Sequence, residues 1–161
     1  MVMLVPMTHA EFRAFALEAV PAFAAENVAS GHWSDTESLE LARNSFDALL
    51  PLGLETSDHY LFTIFDDSAL PLGFLWAAIR KRAEKRVAYV YDIYIDPEHR
   101  RRGYATAALL EFERKASDLG FSGVQLHVFG RNSGAQALYA KLGFSVTDIT
   151  MFKSLEPEAD A

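Results

Sequence analysis

The feature that most constrains this chain is the stretch at residues 93–110, IYIDPEHRRRGYATAALL. It reads as the end of a buried strand, a basic turn with one glycine, and the first turns of an amphipathic helix. The start of a helix offers unpaired backbone N–H groups and the positive end of the helix dipole, which together attract an anion. Three arginines precede the glycine, so the sequence predicts a site for a multiply charged anion.

Two common phosphate-binding motifs do not fit this turn. A Walker motif needs Lys-Ser or Lys-Thr after its second glycine, and the dinucleotide fingerprint needs three glycines at fixed spacing. What is present is Arg-x-x-Gly-x-Ala, formed by Arg100, Gly103 and Ala105. A second motif follows downstream, where an apolar stretch and Asn132 precede the heptapeptide LYAKLGF at residues 138–144.

In this order and at this separation, the two motifs resemble the GNAT acetyltransferase superfamily. That family has Gln/Arg-x-x-Gly-x-Gly/Ala in its acetyl-CoA diphosphate loop, and later an Asn that opens a helix ending in Leu-Tyr-x-Lys-Leu-Gly-Phe. The resemblance covers residues 59–155 well and the amino-terminal third loosely. It implies an acetyl-CoA-dependent N-acetyltransferase whose acceptor, a small-molecule or peptide primary amine, attacks the thioester directly in a ternary complex.

Composition limits the other possibilities. The 161 residues, half of them apolar, suit one domain over 1–161 with a real core. The chain has no cysteine, its first seven residues are too short for a secretory leader, and its longest uncharged apolar stretch, 69–79, is too short for a membrane span. We therefore expect a soluble cytoplasmic protein. The net charge of −7 argues against nucleic-acid binding, and the five histidines have no metal-ligand spacing.

Periodicity and turn residues predict the elements. One helix follows a capping box at Thr8 and Glu11, with Pro21 expected to kink or split it, and a second follows a capping box at Ser34 and Glu37. We predict further helices at 102–119 and from Asn132 to Gly143, strands at 60–65, 72–79, 87–95, 124–129 and 144–152, a charged turn at 80–86, and a frayed tail at 156–161. This order predicts a mixed α+β fold.

The resemblance adds detail to that fold. It implies a GNAT-like sheet, mostly antiparallel, flanked by helices and splayed between the strands at about 87–95 and 124–129. The gap would admit the pantetheine arm, which pairs with the main chain of Ile93, Tyr94 and Ile95; the alternative is a continuous sheet. The diphosphate would bind the loop and helix start, where small residues avoid crowding it: Arg100, Arg101, Arg102, Gly103, Tyr104, Ala105 and Thr106. The alternative here is an ordinary helix start with solvated arginines.

Three further residues are expected at the cofactor. Tyr139 matches the family tyrosine that protonates or steadies the departing thiolate, although a core tyrosine is the alternative. Asn132 would cap its helix and contact the cofactor, and Lys141 would reach a phosphate or remain solvated. Arg101 departs from the family, where many members have glycine, but it keeps a backbone N–H.

The catalytic base is left open between Asp92 and His127. Each side chain can accept a proton from the amine, Asp92 through water and His127 because imidazole titrates in the useful range. A structural carboxylate and a packed strand histidine are the alternatives, and attack by an already neutral amine needs no base.

The acceptor pocket and the assembly are less constrained. Residues expected at the pocket are His32, Trp33, Trp76 and Tyr94, with core or local packing as the alternative for His32 and the two tryptophans. The competing function is a non-catalytic acyl-CoA-binding module that regulates or contacts a partner. A homodimer is possible through the last predicted strand.

Overall fold

The computed structural model describes residues 1–158, which form a five-stranded sheet and four α-helices. The elements follow in the order β1 (Val2–Pro6), α1 (His9–Ala29), α2 (Ser38–Leu49), β2 (His59–Asp66), β3 (Pro71–Arg82), β4 (Lys85–Ile95), α3 (Tyr104–Asp118), β5 (Val124–Leu126) and α4 (Ser133–Lys141). The strands lie side by side in chain order; β1 to β4 are antiparallel and β5 is parallel to β4. The predicted mixed fold with a mostly antiparallel sheet is confirmed. Residues 159–161 of the tail predicted to fray lie outside the described residues.

The sheet separates two apolar clusters, because neighbouring residues of a strand point to opposite faces. Leu75 lies in the cluster covered by α3, together with Phe112. The next residue, Trp76, lies in the cluster covered by α1 and α2, together with Phe15 and Phe46. Each fully buried side chain of this size stabilises the fold by roughly 1.5–3 kcal/mol. Among the described residues, no helix is long and apolar enough to cross a membrane.

Strand β1 is an element that the sequence pattern does not predict. Val2 and Leu4 are buried, whereas Met3 between them is exposed. Because all five residues of β1 are apolar, this alternation is invisible in the sequence. The strand pairs with β2 and extends the sheet beyond the predicted first strand.

Helix α1 starts at the predicted capping box. The backbone N–H of Glu11 donates to Thr8 Oγ1 over 3.2 Å, and the N–H of Thr8 donates to Glu11 Oε1 over 2.8 Å. The expected split at Pro21 does not occur, because α1 is assigned as one helix through this residue. Proline leaves the carbonyl of the residue four positions earlier without its partner. That residue, Leu17, is exposed, so the carbonyl without a helix partner lies on the solvent-facing side of α1.

The second predicted capping box is wrong. Helix α2 begins at Ser38, four residues after Ser34, and no side chain caps its first turn. The Ser34 hydroxyl instead lies 3.3 Å from the hydroxyl of Thr36. The Ser38 hydroxyl donates to the carbonyl of Asp35, so these side chains stabilise a turn that precedes the helix.

The charged turn predicted at 80–86 is mostly strand. Strands β3 and β4 continue as a hairpin to Arg82 and Lys85, which leaves a two-residue turn at 83–84. Ala83 has φ 54°, the positive value that such tight hairpin turns require. Charged side chains are compatible with this end of the hairpin because it projects into solvent.

The end of the chain differs most from expectation. Strand β5 stops at Leu126 instead of Phe129, whereas α3 and α4 match the predicted helices closely. The strand predicted at 144–152 is absent: this segment has no strand assignment and most of it is exposed. A strand needs a neighbour for its backbone hydrogen bonds, and within the described chain this segment has none.

Candidate active site

The site forms where β4 separates from β5. The parallel pairing of the two strands ends at Val90 and Leu126, although β4 continues to Ile95. The backbone groups of β4 beyond Val90 therefore face an opening on the β5 side. This part of β4 includes Ile93, Tyr94 and Ile95, the three residues that the family resemblance predicts beside the pantetheine arm.

A bulge in β4 starts this separation. Trp76 of β3 pairs with Asp92, but the next residue, Ala77, pairs with Val90. Tyr91 is therefore an extra residue on β4. A bulge bends its strand and increases the local twist, which turns the end of β4 away from β5. The splay inferred from the family resemblance thus has a local cause.

A close backbone contact fixes the far end of β4. Gly73 pairs with Ile95, and a Cβ on Gly73 would overlap the carbonyl oxygen of Tyr94. Only glycine therefore fits at this position of β3. The Tyr94 ring stacks on the Phe74 ring with 5.3 Å between centroids. The guanidinium carbon of Arg100 lies 5.1 Å from the centroid of the same Tyr94 ring. These contacts hold the strand end that leads into the basic loop.

The three arginines of the loop differ in whether their side chains are hydrogen-bonded to the protein. Arg100 Nε donates to the carbonyl oxygen of Ile95 over 2.8 Å, so this side chain is docked against the strand end. All three arginines are exposed. The solvated-cluster interpretation therefore fits Arg101 and Arg102, whereas the exposed Arg100 is also anchored by its hydrogen bond to Ile95.

The basic loop leads into α3, whose first turn has no side-chain cap. Gly103 occupies the N-cap of α3 with φ 80°, and no side chain caps the first turn. The N–H groups of Tyr104, Ala105 and Thr106 lie in this first turn, where a helix has no internal partners for them. A Cβ on Gly103 would meet nothing within 4 Å, so in this structure the positive φ, not crowding, is what calls for glycine.

Asp92 is a partly buried carboxylate at the opening. Burial raises its pKa from 3.8 to about 6, the backbone N–H of Ile93 opposes that change, and the negative charge of Glu26 adds to it. A carboxyl group with a pKa of about 6 is able to take up a proton near neutral pH.

Tyr139 lies on α4, close to Asp92. Burial raises the pKa of the Tyr139 hydroxyl, and the negative charge of Asp92 raises it further. The hydroxyl therefore keeps its proton at neutral pH. The ring of Tyr139 packs against Phe144 in an edge-to-face arrangement with 5.7 Å between centroids. The structure thus brings together a potential proton acceptor and a potential proton donor that are far apart in the sequence.

The loop before α4 is tied down by amides. Asn132 Oδ1 accepts from the N–H of Ala135 over 3.1 Å, which confirms its predicted capping role. Gln136 Nε2 donates to the carbonyl oxygens of Phe129 and Gly130. Lys141 is exposed in the last turn of α4.

Glu26 is a site residue that the sequence does not reveal. It lies on α1, where nothing in the pattern distinguishes it from Glu18. A cleft of about 420 Å³ lies between α1 and the loop before α4, lined by Ala25, Glu26, Ala29, Arg131 and Asn132. Glu26 links this cleft to the carboxylate of Asp92, because its negative charge contributes to the raised pKa of Asp92.

His127 directly follows the last residue of β5. Its side chain is exposed and packs edge-to-face on Phe129, with 5.0 Å between ring centroids. His32 contacts the same phenylalanine at 5.8 Å. These rings connect the joint between α1 and α2 to the end of β5.

The two tryptophans expected at the acceptor pocket are both packed. Trp76 is buried in the cluster under α1 and α2, and its indole N–H donates to His59 Nδ1 over 3.0 Å. Trp33 packs edge-to-face on Phe23 of α1 with 5.3 Å between centroids. The packing interpretation accounts for both side chains.

Comparison with known proteins places this geometry in context. A model of the acetyltransferase (GNAT) family matches residues 22–144. The N-acetyltransferase YycN of Bacillus subtilis (strain 168) is 34% identical over 154 residues, covering 96% of this chain and 99% of YycN. YdgE, an N-acetyltransferase of the same organism, is 34% identical over 149 residues, covering 92% and 95%.

The crystal structure of YycN superposes with a TM-score of 0.93 and 33% identity, covering 98% of this chain and 100% of YycN. This coverage leaves only a few residues unmatched, so the superposition extends into the segment after α4.

Proposed function

Because this chain belongs to the GNAT family of acetyltransferases, we propose that it transfers the acetyl group of acetyl-CoA to a primary amine by direct attack in a ternary complex. The observation that carries this proposal is the proximity of Asp92 to Tyr139, whose pKa it raises, where β4 separates from β5. The family generally takes its acetyl group from acetyl-CoA. The proposal includes a cytoplasmic location, which is consistent with the absence of cysteine from the sequence.

The cofactor site has the chemistry that acetyl-CoA needs. The uncapped start of α3 offers N–H donors and a positive dipole end to a diphosphate, with Arg101 and Arg102 exposed beside it. The unpaired edge of β4 offers backbone donors and acceptors to an extended chain with amide groups, as in strand addition. When bound, acetyl-CoA supplies an acyl thioester.

We assign the base to Asp92. As the amine nitrogen bonds to the carbonyl carbon, Asp92 takes the proton that the nitrogen loses, directly or through one water. Its pKa of about 6 leaves it ionised at neutral pH and still basic enough to accept that proton. His127 remains the other candidate that the sequence supplies, but its exposed position gives it less support.

We assign the acid to Tyr139. When the carbon–sulfur bond breaks, the Tyr139 hydroxyl donates its proton to the sulfur. Its raised pKa keeps it protonated until then, and the charge of Asp92 disfavours early ionisation. The tyrosine regains a proton from solvent or from Asp92, which completes the proton balance.

The acceptor enters, in this proposal, through the cleft beside Glu26. The negative charge of Glu26, which lines this cleft, raises the pKa of Asp92, so a positively charged ammonium group near both carboxylates would offset that repulsion. The cleft therefore favours an amine that arrives as a cation, releases its first proton to solvent to become a nucleophile, and loses its second proton to Asp92 as the bond to the carbonyl carbon forms. Replacing Glu26 with Gln should raise KM for the acceptor more than it lowers kcat, whereas Glu18→Gln on the same helix should change neither.

The direct test is calorimetric titration of acetyl-CoA into the purified protein, with CoA and ATP as comparisons. We expect acetyl-CoA and CoA to bind and ATP to bind far more weakly. A micromolar site should also raise the free energy of unfolding by roughly 2–4 kcal/mol at high ligand. An amine screen that detects released thiol then identifies the acceptor. The absence of both a heat of binding and thermal stabilisation at high acetyl-CoA would refute the proposal.

A further inference from the structure

The residue that faces the bulge of β4 across the sheet is Trp76 of β3. Trp76 pairs with Asp92, and Tyr91, the extra residue of the bulge, has no register partner on β3. Residues directly opposite each other in an antiparallel pair share one face of the sheet. Since Trp76 is buried under α1 and α2, the Asp92 side chain points to the same side, on which Glu26 of α1 lies. Whatever fixes Trp76 and Tyr91 therefore lies next to the proposed base.

Three aromatic side chains from three strands meet at this bulge. The Tyr91 ring stacks on the indole of Trp76 with 4.6 Å between centroids and 24° between planes. The indole N–H donates to Nδ1 of His59 on β2 over 3.0 Å. The His59 ring in turn lies nearly parallel to the Tyr91 ring, with 5.9 Å between centroids. We call these three side chains, His59, Trp76 and Tyr91, the bulge clasp.

The bulge clasp is held from the solvent side and from the core side. Arg80 Nη2 donates to the Tyr91 hydroxyl over 2.7 Å, and the guanidinium carbon lies 5.1 Å from the centroid of the Tyr91 ring. On the other side, Phe15 of α1 and Phe46 of α2 meet the indole of Trp76 edge-to-face, at 6.0 and 5.8 Å between centroids. A charged hydrogen bond and two helices therefore restrict the movement of the rings.

His59 is in the protonation state that the hydrogen bond to Trp76 requires. The indole N–H can only donate, so Nδ1 of His59 must carry no proton. Burial lowers the pKa of His59 from 6.5, the negative charge of Asp58 opposes that change, and the positive charge of Arg80 adds to it. The imidazole is therefore neutral at pH 7. A phenylalanine at position 76 would pack here without a partner, whereas a buried indole N–H needs one, so the hydrogen bond fixes the orientation of the ring.

The bulge is the part of β4 that the sheet itself fixes least. The extra residue of a bulge is unpaired, and the ladder of hydrogen bonds is locally disrupted. Tyr91 therefore depends on side-chain contacts for its position, and Asp92 follows it directly in the chain. We propose that His59 is a positioning residue that acts through the bulge clasp, because fixing the Tyr91 ring also fixes the main chain from which the Asp92 carboxylate projects. This inference rests on the proposed function, in which Asp92 is the base.

The first test replaces His59 with Phe, which keeps an aromatic ring but removes the acceptor of the indole N–H. We expect kcat to fall on the order of 10-fold, since a misplacement of about 1 Å can cost about 100-fold. KM for acetyl-CoA should not change, because no residue of the bulge clasp belongs to the predicted diphosphate loop. His59→Asn should restore most of kcat, since its Oδ1 offers an acceptor close to the place of Nδ1.

The matched control is Tyr60→Phe, which removes a polar atom from the next residue of β2. The Tyr60 ring contacts Phe121 edge-to-face at 6.4 Å, on the other side of the sheet. This variant should therefore keep the kcat of the parent. An unchanged kcat for His59→Phe, or a loss that His59→Asn does not restore, would overturn the positioning role.

Titration of the Asp92 carboxyl carbon, followed by NMR, tests the position of the base without any substrate. The parent chain should show a pKa of about 6. His59→Phe should lower that pKa, because a carboxylate that leaves its buried place is better hydrated. His59→Asn should return it to about 6. An unchanged pKa in His59→Phe would overturn the inference. A parent chain without turnover would refute the proposed acetyl transfer instead, and the titration would still decide whether His59 positions Asp92.

Arg80→Gln weakens the bulge clasp from the solvent side and leaves the core untouched. Arg80 is exposed, so the variant should fold like the parent, which thermal unfolding checks. We expect kcat and the pKa of Asp92 to change in the same direction as in His59→Phe, but by less. Lys81→Gln removes an equal charge from the next residue of β3 and should change neither. If Arg80→Gln behaved like Lys81→Gln, the bulge clasp would not position Asp92.

Discussion

The candidate site combines a tightly packed part of the chain, before residue 117, with a loosely packed part that follows it. Residues up to Ala116 supply both apolar clusters and every buried side chain among the described residues. From residue 117 to 158 no side chain is buried, and α4 contains none. Asp92 and the basic loop belong to the packed part, whereas Asn132 and Tyr139 belong to the loosely packed part.

Most of the groups that would bind acetyl-CoA therefore lie in the packed part, whereas the proposed acid, Tyr139, lies in the loosely packed part. The strand end and the helix start that would receive acetyl-CoA are fixed by Gly73, Arg100 and the core under α3 before any ligand arrives. Preorganised groups of this kind need no rearrangement to bind. Segments with few buried contacts open locally at low cost, so the position of the acid on α4 is less strictly fixed than that of the groups that would receive acetyl-CoA.

Removing the carboxylate at position 92 should have the largest effect. With Asp92→Asn, turnover should fall on the order of 100-fold, because a positioned base typically contributes that much. The acidic limb of kcat/KM against pH, expected near pH 6 in the parent, should disappear. Asp96→Asn is the matched control, since burial also raises the pKa of Asp96, and it should retain the limb. An unchanged pH profile for Asp92→Asn would remove Asp92 from the mechanism.

The same substitution, Asp92→Asn, should lower turnover but raise the stability of the fold at neutral pH. The pKa of Asp92 is higher in the folded chain than its ordinary value of 3.8, so the folded state binds the proton more tightly. That stabilisation is complete below about pH 4 and is lost as pH rises through about 6. Asp92→Asn should therefore be more stable than the parent at pH 7 and not at pH 4. Thermal unfolding at the two pH values measures this, and equal shifts at both would contradict it.

Gly73→Ala tests whether the packed half is as rigid as its contacts suggest. The added methyl overlaps the carbonyl oxygen of Tyr94, so the end of β4 must move. We expect a loss of about 1–3 kcal/mol in unfolding free energy, the usual cost of overpacking, and weaker acetyl-CoA binding. Gly123→Ala is the control, because a Cβ there meets nothing within 4 Å. If both variants behaved alike in chemical denaturation, the close contact would not fix β4.

Tyr139→Phe tests the loosely packed half. Turnover should fall about tenfold or more, while acetyl-CoA binding measured by calorimetry is retained, because only the proton donor is lost. Tyr89→Phe is the control, since burial raises the pKa of Tyr89 as well, but it lies on the hairpin. Unchanged turnover would refute the acid assignment. Binding without any turnover in the parent chain would instead favour the non-catalytic acyl-CoA-binding module.

The elements that the sequence predicts are those whose signals are local. Helical periodicity, the capping box at Thr8 and the Asn132 cap locate α1, α3 and α4, and alternation locates β2 to β4. Strand β1 is missed because its residues are uniformly apolar. The strand at 144–152 has the right composition, but a strand forms only against a neighbour, and the chain alone does not provide one.

For the site, motifs locate the loop and Tyr139, but tertiary contacts decide the rest. The resemblance identifies Asp92 as a candidate base, yet only the fold brings the charge of Glu26 and the hydroxyl of Tyr139 close to it. Trp76 shows the reverse case: a tryptophan suits a binding pocket, and the strand register buries it against α1 and α2. Which face a strand residue occupies depends on register, which a single bulge changes.

The smallest predicted effect concerns the departure of Arg101 from the family pattern. Arg101 has φ 62°, a left-handed conformation that costs a side-chain-bearing residue about 1–2 kcal/mol, whereas Arg102 has no positive φ. Arg101→Gly should therefore stabilise the chain by up to about 1 kcal/mol after the extra backbone entropy of glycine is offset. Arg102→Gly removes the same charge without relieving strain, so it should destabilise by roughly 0.5–1 kcal/mol. Denaturant unfolding of the pair measures the difference. If both changes had the same sign, charge and not backbone strain would dominate at this loop, and the packed half would be less strictly determined by its backbone than its contacts indicate.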